Sequence, residues 1–413
     1  MARPLVEVVR SSILALAVAE TLVWAGTFYL FPALLLHFER DLGWSKTELA
    51  GAFTAALLTS AAAAPLVGRV VDRGFGRGLL TGSALGAGVL LLLLALVEAR
   101  WQFYAVWLGL GLAMAGGLYE PCFAWLIRTR GDDARRAITR ITLIAGFAGT
   151  VSFPSANAIA ERFGWRASAL AFAAIIMLVA VPLMWLGATP PGERAPAHDA
   201  GGPGAGRRAD RAADRGPDRG ALPRAMSRPA FWLLGAAFTM IAFNHGILIT
   251  HLLPLLAERG VGLDTSVLAV SLIGPMQVAG RLLMLAGERR VPLGAVCAIS
   301  FIAMIAASTL LWLAGASVAL LLAFVALQGA GYGVTSITRP AITADYLGRA
   351  GFGVISGAIG AAFMAANAAA PTVAALIWTS GGYDLVLLTC ILAAVLGLAA
   401  FAAASAPVIR GRR

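Results

Sequence analysis

Apolar stretches long enough to cross a lipid bilayer recur along nearly the whole chain. A helical span needs roughly 20 predominantly apolar residues. Only 13% of the residues are charged, whereas a soluble domain carries about a quarter, so we exclude a water-soluble fold. The chain is predicted to be an all-α membrane protein with twelve spans, at 11–37, 47–70, 78–98, 102–127, 137–160, 166–187, 229–257, 264–286, 291–315, 317–344, 350–378 and 383–406.

A polar gap separates the sixth span from the seventh. Residues 188–228 are rich in Gly, Pro, Ala, Arg and Asp and have no apolar period, a composition typical of a disordered linker. The gap predicts an N-terminal six-helix bundle at 1–187, a linker at 188–228, and a C-terminal six-helix bundle at 229–413.

Arginines cluster in alternate loops and thereby predict the orientation. Cytoplasmic loops near span ends carry excess positive charge, so we expect a cytoplasmic linker, cytoplasmic termini and a location in the cell (inner) membrane. The net charge of +11 follows from this topology and from contact with anionic lipid, and the scattering of the basic residues excludes a nucleic-acid partner. The arginines concerned are Arg69, Arg73, Arg77, Arg128, Arg130, Arg135, Arg136, Arg140, Arg289, Arg290, Arg410, Arg412 and Arg413.

The residue types that carry most cofactor and enzyme chemistry are absent or badly spaced. Cys122, Cys297 and Cys390 fall inside apolar spans, with no His or Cys at ligand spacing, so we expect neither disulfides nor a metal site. No phosphate-binding G-x-x-x-x-G-K-S/T, no H-E-x-x-H and no G-x-S-x-G at a plausible turn occurs. We expect no cofactor, no enzyme activity and no ATP-driven transport by this chain alone.

Prolines recur at a nearly constant interval in corresponding spans. Pro32 of span one matches Pro254 of span seven (222 apart), and Pro154 of span five matches Pro371 of span eleven (217 apart). Two charged residues that directly precede a proline, Glu120 and Arg339, match in spans four and ten (219 apart). This register predicts a parallel duplication of six spans.

The loop after span two carries a distinctive charge pattern, GRVVDRGFGRG at 68–78. Composition alone allows an ordinary positively charged cytoplasmic loop. The pattern resembles the loop signature of the major facilitator superfamily and departs from it at Gly78. The resemblance covers nearly the full chain and implies the major facilitator fold, with Asp72, Arg73 and Arg77 gating the cytoplasmic side.

Further loops resemble the oxalate/formate exchanger and monocarboxylate transporter branch: DLGWSKTELAGAF at 41–53, ERFGWRAS at 161–168 and LGRAGFGVISG at 347–357. This resemblance implies a substrate-binding arginine in span eight, Arg281, whose planar fork matches a carboxylate. The alternative is an arginine whose stem extends to the membrane interface. Gln277 stands where the family has an acidic residue, and Ala33 stands where the animal carriers have a lysine. Both differences argue against the proton coupling that is typical of those carriers.

Ionisable residues inside spans are functional candidates because an isolated charge there is costly. Glu20, Glu120 and His245 are candidate proton-coupling residues, although Glu20 and His245 also suit satisfied structural positions. Glu120 and Arg339 are expected to form a gating ion pair when the cytoplasmic side closes, or else to be satisfied within their own halves.

Four residues complete the predicted binding cavity beside Arg281. Arg339 is expected to contact the anion when unpaired, and Asn244 and His245 face the substrate from span seven. Tyr29, with Trp24 and Phe28, lines the cavity from span one, although aromatic residues at helical spacing also serve as packing.

These features predict secondary transport of a small organic anion, a mono- or dicarboxylate, by alternating access. We expect a monomeric symporter or antiporter that couples the substrate to a proton or a counter-anion. Two alternatives stay open: efflux of an amphiphilic drug-like compound, and a non-transporting membrane sensor.

Overall fold

The computed structural model describes residues 2–130, 133–190, 221–287, 290–315, 317–348 and 352–410, and these ranges contain helices and no strand. The N-terminal helices are α1 Ala2–Thr27, α2 Leu30–Leu42, α3 Lys46–Asp72, α4 Gly76–Leu94, α5 Arg100–Gly117, α6 Tyr119–Arg130, α7 Ala134–Ala145, α8 Ala148–Phe163, α9 Trp165–Ile175 and α10 Val181–Gly187, with a π-helical turn Ile176–Ala180 before α10. The C-terminal helices are α11 Ala221–Met226, α12 Pro229–Glu258, α13 Leu263–Gly287, α14 Leu293–Leu313, α15 Val318–Gly333, α16 Thr335–Leu347 and α17 Phe352–Arg410.

The described residues contain eleven helical stretches that are long and apolar enough to cross a membrane. The last of them, Val354–Ala406, has 53 residues and is about 80 Å long at the α-helical rise, more than twice the hydrocarbon thickness. Its backbone leaves helical geometry at Gly381 and Gly382, which divides it into two spans. The predicted all-α fold with twelve spans is thereby confirmed.

The twelve spans follow the chain order of the helices. Span one is α1 with α2, two is α3, three is α4, four is α5 with α6, five is α7 with α8, six is α9 to α10, seven is α12, eight is α13, nine is α14, ten is α15 with α16, and eleven and twelve are the two parts of α17.

Four spans that the sequence predicts as continuous are interrupted. Span one breaks before Tyr29, span four at Leu118, span five at Gly146 and span ten at Val334. Discontinuous helices are tolerated at membrane depth only where the freed backbone groups face protein or a polar cavity. The breaks therefore indicate the region of the molecule in which a polar binding site is expected.

Glycines with positive φ recur at the interval of the prolines. Gly43 and Gly260, which end spans one and seven, have φ of 66° and 74° and lie 217 residues apart. Gly164 and Gly382, which turn the chain between spans five and six and between spans eleven and twelve, have φ of 81° and 65° and lie 218 apart. The same turns at the same interval support the duplication.

The predicted linker lies mostly at 191–220, outside the described residues, as do Arg289, Arg412 and Arg413. Its C-terminal end differs from the prediction, because Ala221–Met226 forms α11. Ala225 is 4% exposed and Leu222 packs beside it against the C-terminal core. Burial of these two side chains explains the ordered turn in a segment whose composition predicts disorder.

The two halves meet through three helix pairs: α3 with α17, α8 with α13, and α2 with α12. We call the membrane side of Gly187 and Ala221 the linker side and the side of Gly43 and Gly164 the distal side. Helices α2 and α8 are the distal parts of spans one and five, and among the described residues the linker-side helices α6 and α16 make no comparably extensive contact with each other. The molecule is thus closed on the distal side.

Gly164 provides a test of the fold, because its backbone (φ 81°, ψ 161°) lies in a region that essentially only glycine occupies. An added Cβ at Gly164 meets no atom within 4 Å, so backbone strain is the one effect that destabilises an alanine at this position. We expect Gly164→Ala to lower the free energy of unfolding by about 1–3 kcal/mol, measured as a lower thermal midpoint in detergent. Gly235→Ala, inside α12 and equally free of neighbours, is the matched control and is expected to leave the midpoint unchanged or raise it. Equal midpoints for the two variants contradict the assignment.

Candidate functional site

Arg281 of span eight bridges the two halves of the protein. Its Nε donates to the carbonyl of Gly333, at 2.9 Å, and its Nη1 donates to the carbonyl of Thr142, at 3.1 Å. Gly333 ends α15 and Thr142 lies in the last turn of α7, so both carbonyls belong to the negative ends of helix dipoles, where a cation is stabilised. These contacts differ from the alternative prediction, in which the aliphatic stem of Arg281 extends to the membrane interface.

Glycines let spans eight and ten approach closely enough to place this arginine. A Cβ added to Gly280 would lie 2.5 Å from the carbonyl oxygen of Ala330, and one added to Gly333 would clash with the backbone of Gln277. Because the two backbones touch, the first side chain beyond the contact, Arg281, reaches the break of span ten. Its Nη2 atom has no hydrogen-bond partner among the described residues.

Three tyrosines from the helix breaks surround Arg281. Tyr29 begins the second part of span one, Tyr119 begins α6 of span four, and Tyr332 precedes the end of α15 in span ten. All three are half-buried and within electrostatic range of Arg281. None of their hydroxyls hydrogen-bonds to another described residue, so these hydroxyls are available to a bound molecule.

An aromatic cluster continues the wall from spans one and four. The ring of Trp24 lies 5.3 Å from Phe28, 6.3 Å from Tyr29 and 4.8 Å from Tyr119, and Tyr119 stacks on Phe123 at 5.1 Å. The rings pack on one another and stay half-buried. They therefore serve as packing for the helices and leave aromatic surface beside the arginine.

Arg339 provides a second cation without an acidic partner. Its guanidinium lies 4.2 Å from the ring centroid of Phe363 in span eleven, and its buried Nη1 has no hydrogen-bond partner among the described residues. Glu120 is exposed, within electrostatic range of Arg339, and in the described part of the chain it forms no ion pair. The expected Glu120–Arg339 pair is thus open in this distal-closed conformation.

His245 lies against Tyr332, whereas its neighbour Asn244 is engaged inside the C-terminal half. The imidazole stacks on Tyr332 with ring centroids 3.4 Å apart, and its buried Nδ1 has no partner among the described residues. Asn244 donates to Ser308 Oγ and to the carbonyl of Cys390.

The Asn244 amide oxygen accepts from Gln328 Nε2, and its side chain is completely buried. Sequence reasoning placed Asn244 with the substrate. The structure instead engages both ends of its amide inside the C-terminal half, so we omit it from the site.

Glu20 is completely buried in span one. Its carboxyl oxygens lie near the Cys122 thiol and the Trp24 indole N–H, and no hydrogen bond of ordinary geometry joins them to a described residue. The titratable groups within range are Cys122, Tyr119 and Glu120 of span four, and none of them is a cation. A buried carboxyl with no counter-ion is uncommon in a membrane and marks a candidate proton site.

The signature loop lies at the linker end of span two. Asp72 and Arg73 are exposed, and among the described residues neither takes part in an ion pair. Arg77 donates from Nε to the carbonyl of Trp185 and lies 3.7 Å from the Trp185 ring centroid, which joins spans three and six. The gating role of these residues stays a prediction.

A separate cleft of about 1030 Å³ opens on the linker side between spans nine, ten and twelve. Its lining includes Leu293, Tyr346 and Phe401, and Asp345 is the one charged residue among its described lining residues. With an acid and no cation, the described lining of this cleft lacks the groups that an anion requires, and neither Arg281 nor Arg339 belongs to it.

Solved structures of transporters share the fold over almost the whole chain. A bacterial homologue of the human lysosomal transporter Spinster, in an inward-facing and unoccupied conformation, matches with 15% identity and a TM-score of 0.68, covering 98% of each chain. A point mutant of the nucleoside transporter NupG matches with 14% identity and a TM-score of 0.74, covering 96% of this chain and 99% of that one. Comparison with curated proteins gives no match.

The sequence pattern of the Major Facilitator Superfamily matches residues 16–304, more than half of the chain. The helical architecture, the apolar spans and the matching structures agree with this assignment. The chain therefore belongs to the Major Facilitator Superfamily and is a multi-pass membrane transporter of a small-molecule substrate, not an enzyme.

Proposed function

We propose that the chain carries a small organic anion, a mono- or dicarboxylate, by alternating access. The observation that carries the proposal is the pair of unneutralised arginines beside free tyrosine hydroxyls. Arg281 keeps Nη2 available and Arg339 keeps a buried Nη1 without a partner. Guanidinium groups form strong charge-assisted hydrogen bonds with carboxylates, and a bound anion satisfies the orphaned donor.

Because Arg281 keeps few free hydrogen-bond donors, we expect several residues to bind the anion together. Two of the nitrogens of Arg281 are already committed to backbone carbonyls, so its remaining donors bind one end of a carboxylate. Tyr29, Tyr119 and Tyr332 supply hydroxyl donors to the same oxygens, and Arg339 supplies a second charge. A monocarboxylate uses one arginine with the hydroxyls, whereas a dicarboxylate uses both arginines. The resemblance to the oxalate/formate and monocarboxylate branch agrees with this chemistry.

We propose for the protein the same orientation in the membrane that the sequence predicts. Arginines at the linker ends of spans two and four suit a cytoplasmic linker side, with both termini cytoplasmic and the chain in the inner membrane. The distal-closed molecule is then inward-facing. We further propose a monomer with bundles at 1–187 and 229–413, in which Asp72, Arg73 and Arg77 steady the closed linker side in the opposite conformation.

Proton coupling is assigned to Glu20, with His245 as a second candidate. The orphaned carboxyl of Glu20 lies within range of Tyr119 and Glu120, two residues at the break of span four. Glu120 is exposed and is a suitable proton donor from the linker side. Protonation of Glu20 removes an unpaired charge from the helix interior and so favours the rearrangement of spans one and four.

The aromatic cluster favours one second candidate, efflux of an amphiphilic drug-like compound. Trp24 lies beside Glu20, and Phe28 and Phe123 belong to the same half-buried aromatic cluster. A planar apolar molecule stacks on aromatic rings of this kind. The positive charges of Arg281 and Arg339 repel an organic cation. Uptake of a planar organic cation into proteoliposomes, with no uptake of carboxylates, decides for this candidate.

Replacement of Arg281 tests the anion site. Arg281→Lys keeps the charge but loses the fork, and one ammonium cannot hold two helix ends and an anion together. Because a hydrogen bond to a charged group contributes about 1.5–3 kcal/mol, carboxylate uptake into proteoliposomes is expected to fall at least about tenfold. Arg162→Lys, exposed at the distal end of span five, is the control. An unchanged apparent affinity in Arg281→Lys refutes the assignment.

Replacement of Glu20 tests the coupling. In Glu20→Gln the proton site is lost, so an inward proton gradient should no longer stimulate accumulation, while exchange of labelled for unlabelled substrate continues. Both fluxes are measured in proteoliposomes with and without the gradient. Glu98→Gln, an exposed residue, should behave as wild type. Equal stimulation of Glu20→Gln and wild type rules out Glu20 as the coupling residue.

Charge reversal tests the gate. Glu120→Arg and Arg339→Glu each place like charges on spans four and ten, and these charges repel one another when the linker side closes, so each should impair exchange. The double reversal, Glu120→Arg with Arg339→Glu, should recover transport and close the linker side to a water-soluble probe. If it transports no better than either single reversal, the two residues do not pair.

A further inference from the structure

A single lysine crosses the interface between the halves at the distal end. Lys46 begins span two, and its Nζ lies 3.9 Å from the ring centroid of Trp378 and 5.8 Å from that of Tyr383. Both rings belong to the opposite half, on either side of the turn between spans eleven and twelve. Lys46 is 9% exposed, so its ammonium group is largely withdrawn from water.

The two rings are fixed by hydrogen bonds on their far sides. Trp378 Nε1 donates to Glu258 Oε2 at 2.8 Å. The hydroxyl of Tyr383 lies 3.3 Å from His251 Nδ1, and His251 Nε2 lies 2.9 Å from the carbonyl of Pro371. Since a carbonyl only accepts, Nε2 carries the proton and Nδ1 accepts from the tyrosine. We call Trp378 and Tyr383, held in this way, the aromatic seat.

The position of Lys46 is not explained by its own helix. The capping box of span two is made by Ser45 and Glu48, and a cation in the first helical turn opposes the helix dipole. Glu39, of the same half, provides one acidic neighbour, with its Oε1 atom 3.7 Å from Nζ. The remaining stabilisation comes from the aromatic seat, because a desolvated cation over a tryptophan face is strongly attracted.

The second interface between the halves is built differently. At spans five and eight the backbones approach at Gly146 and Gly274, and Thr150 donates to the carbonyl of Ser271 at 2.7 Å. Among the described residues at the distal end, Lys46 is the charged side chain that reaches across to the other half. The distal closure is therefore asymmetric, with a charged contact at one interface and small residues at the other.

We propose that Lys46 in the aromatic seat is the latch of the distal gate, the contact that breaks and re-forms once in each transport cycle. Lys46 is a positioning residue, because it binds no substrate and acts on the equilibrium between the two conformations. The proposal requires alternating access and does not depend on the carboxylate assignment, and the experiment below uses no substrate.

Because Lys46 is the only lysine in the sequence, its own amine reports the state of the latch. The full chain, purified in detergent so that both sides are reachable, is treated with a water-soluble amine-acylating ester. Peptide mapping then separates acylation of Lys46 from that of the chain's terminal amine. Loss of a desolvated cation–π contact shifts the equilibrium by about tenfold or more, so Trp378→Leu should raise the acylation rate of Lys46 by about that factor. Trp101→Leu, at an exposed distal tryptophan (71% exposed), should keep the wild-type rate.

A second measurement separates loss of the latch from general loosening of the protein. Thr54 and Thr372 hydrogen-bond across the same interface at 2.8 Å, and the native cysteines are buried. In a Thr54→Cys background, maleimide labelling should rise about tenfold with Lys46→Met and stay unchanged with Lys46→Arg, which retains a cation for the seat. Equal acylation in Trp378→Leu and Trp101→Leu, or equal maleimide labelling in Lys46→Met and Lys46→Arg, overturns the proposal.

Discussion

Hydrocarbon offers no hydrogen-bonding partner to a polypeptide backbone, and the rest of this structure depends on that constraint. A continuous helix satisfies the constraint internally, which explains why the described chain is helical almost throughout. An interrupted helix leaves unpaired backbone groups at its new ends, and the protein itself must supply their hydrogen-bond partners. Spans one, four, five and ten are interrupted. Arg281 donates to carbonyls at two of the resulting helix ends, those of Gly333 and Thr142.

The same breaks gather the groups that are suited to an anion. Tyr29, Tyr119 and Tyr332 each lie beside a break, where the chain direction changes and a side chain is released from regular helix packing. They come from three spans in two halves, so any relative movement of the halves changes their distances from Arg281. A site assembled in this way binds differently in the two conformations, and alternating access needs that difference.

Hydropathy predicted the helical spans, because they depend on the local requirements of a bilayer, and residue spacing predicted a repeat that the glycine turns support. They did not predict the interruptions, since Leu118 and Val334 are apolar and fit an unbroken helix equally well. Arg281 was identified by its context, but its partners were not, because Thr142 lies in the other half. The partners of Asn244 were not predictable for a related reason: Ser308, Cys390 and Gln328 engage its amide from spans that the sequence does not connect to it.

The turns at Gly164 and Gly382 have a consequence for how the chain enters the membrane. Each joins two spans through one or two residues, so no polar loop separates spans five and six or spans eleven and twelve. In the proposed orientation, each pair enters the membrane from the linker side as one helical hairpin, and only its short tip crosses the hydrocarbon. The charged residues close to the tips are Glu161, Arg162 and Arg166 at one and Asp384 at the other. Neither pair then requires the separate translocation of a polar loop.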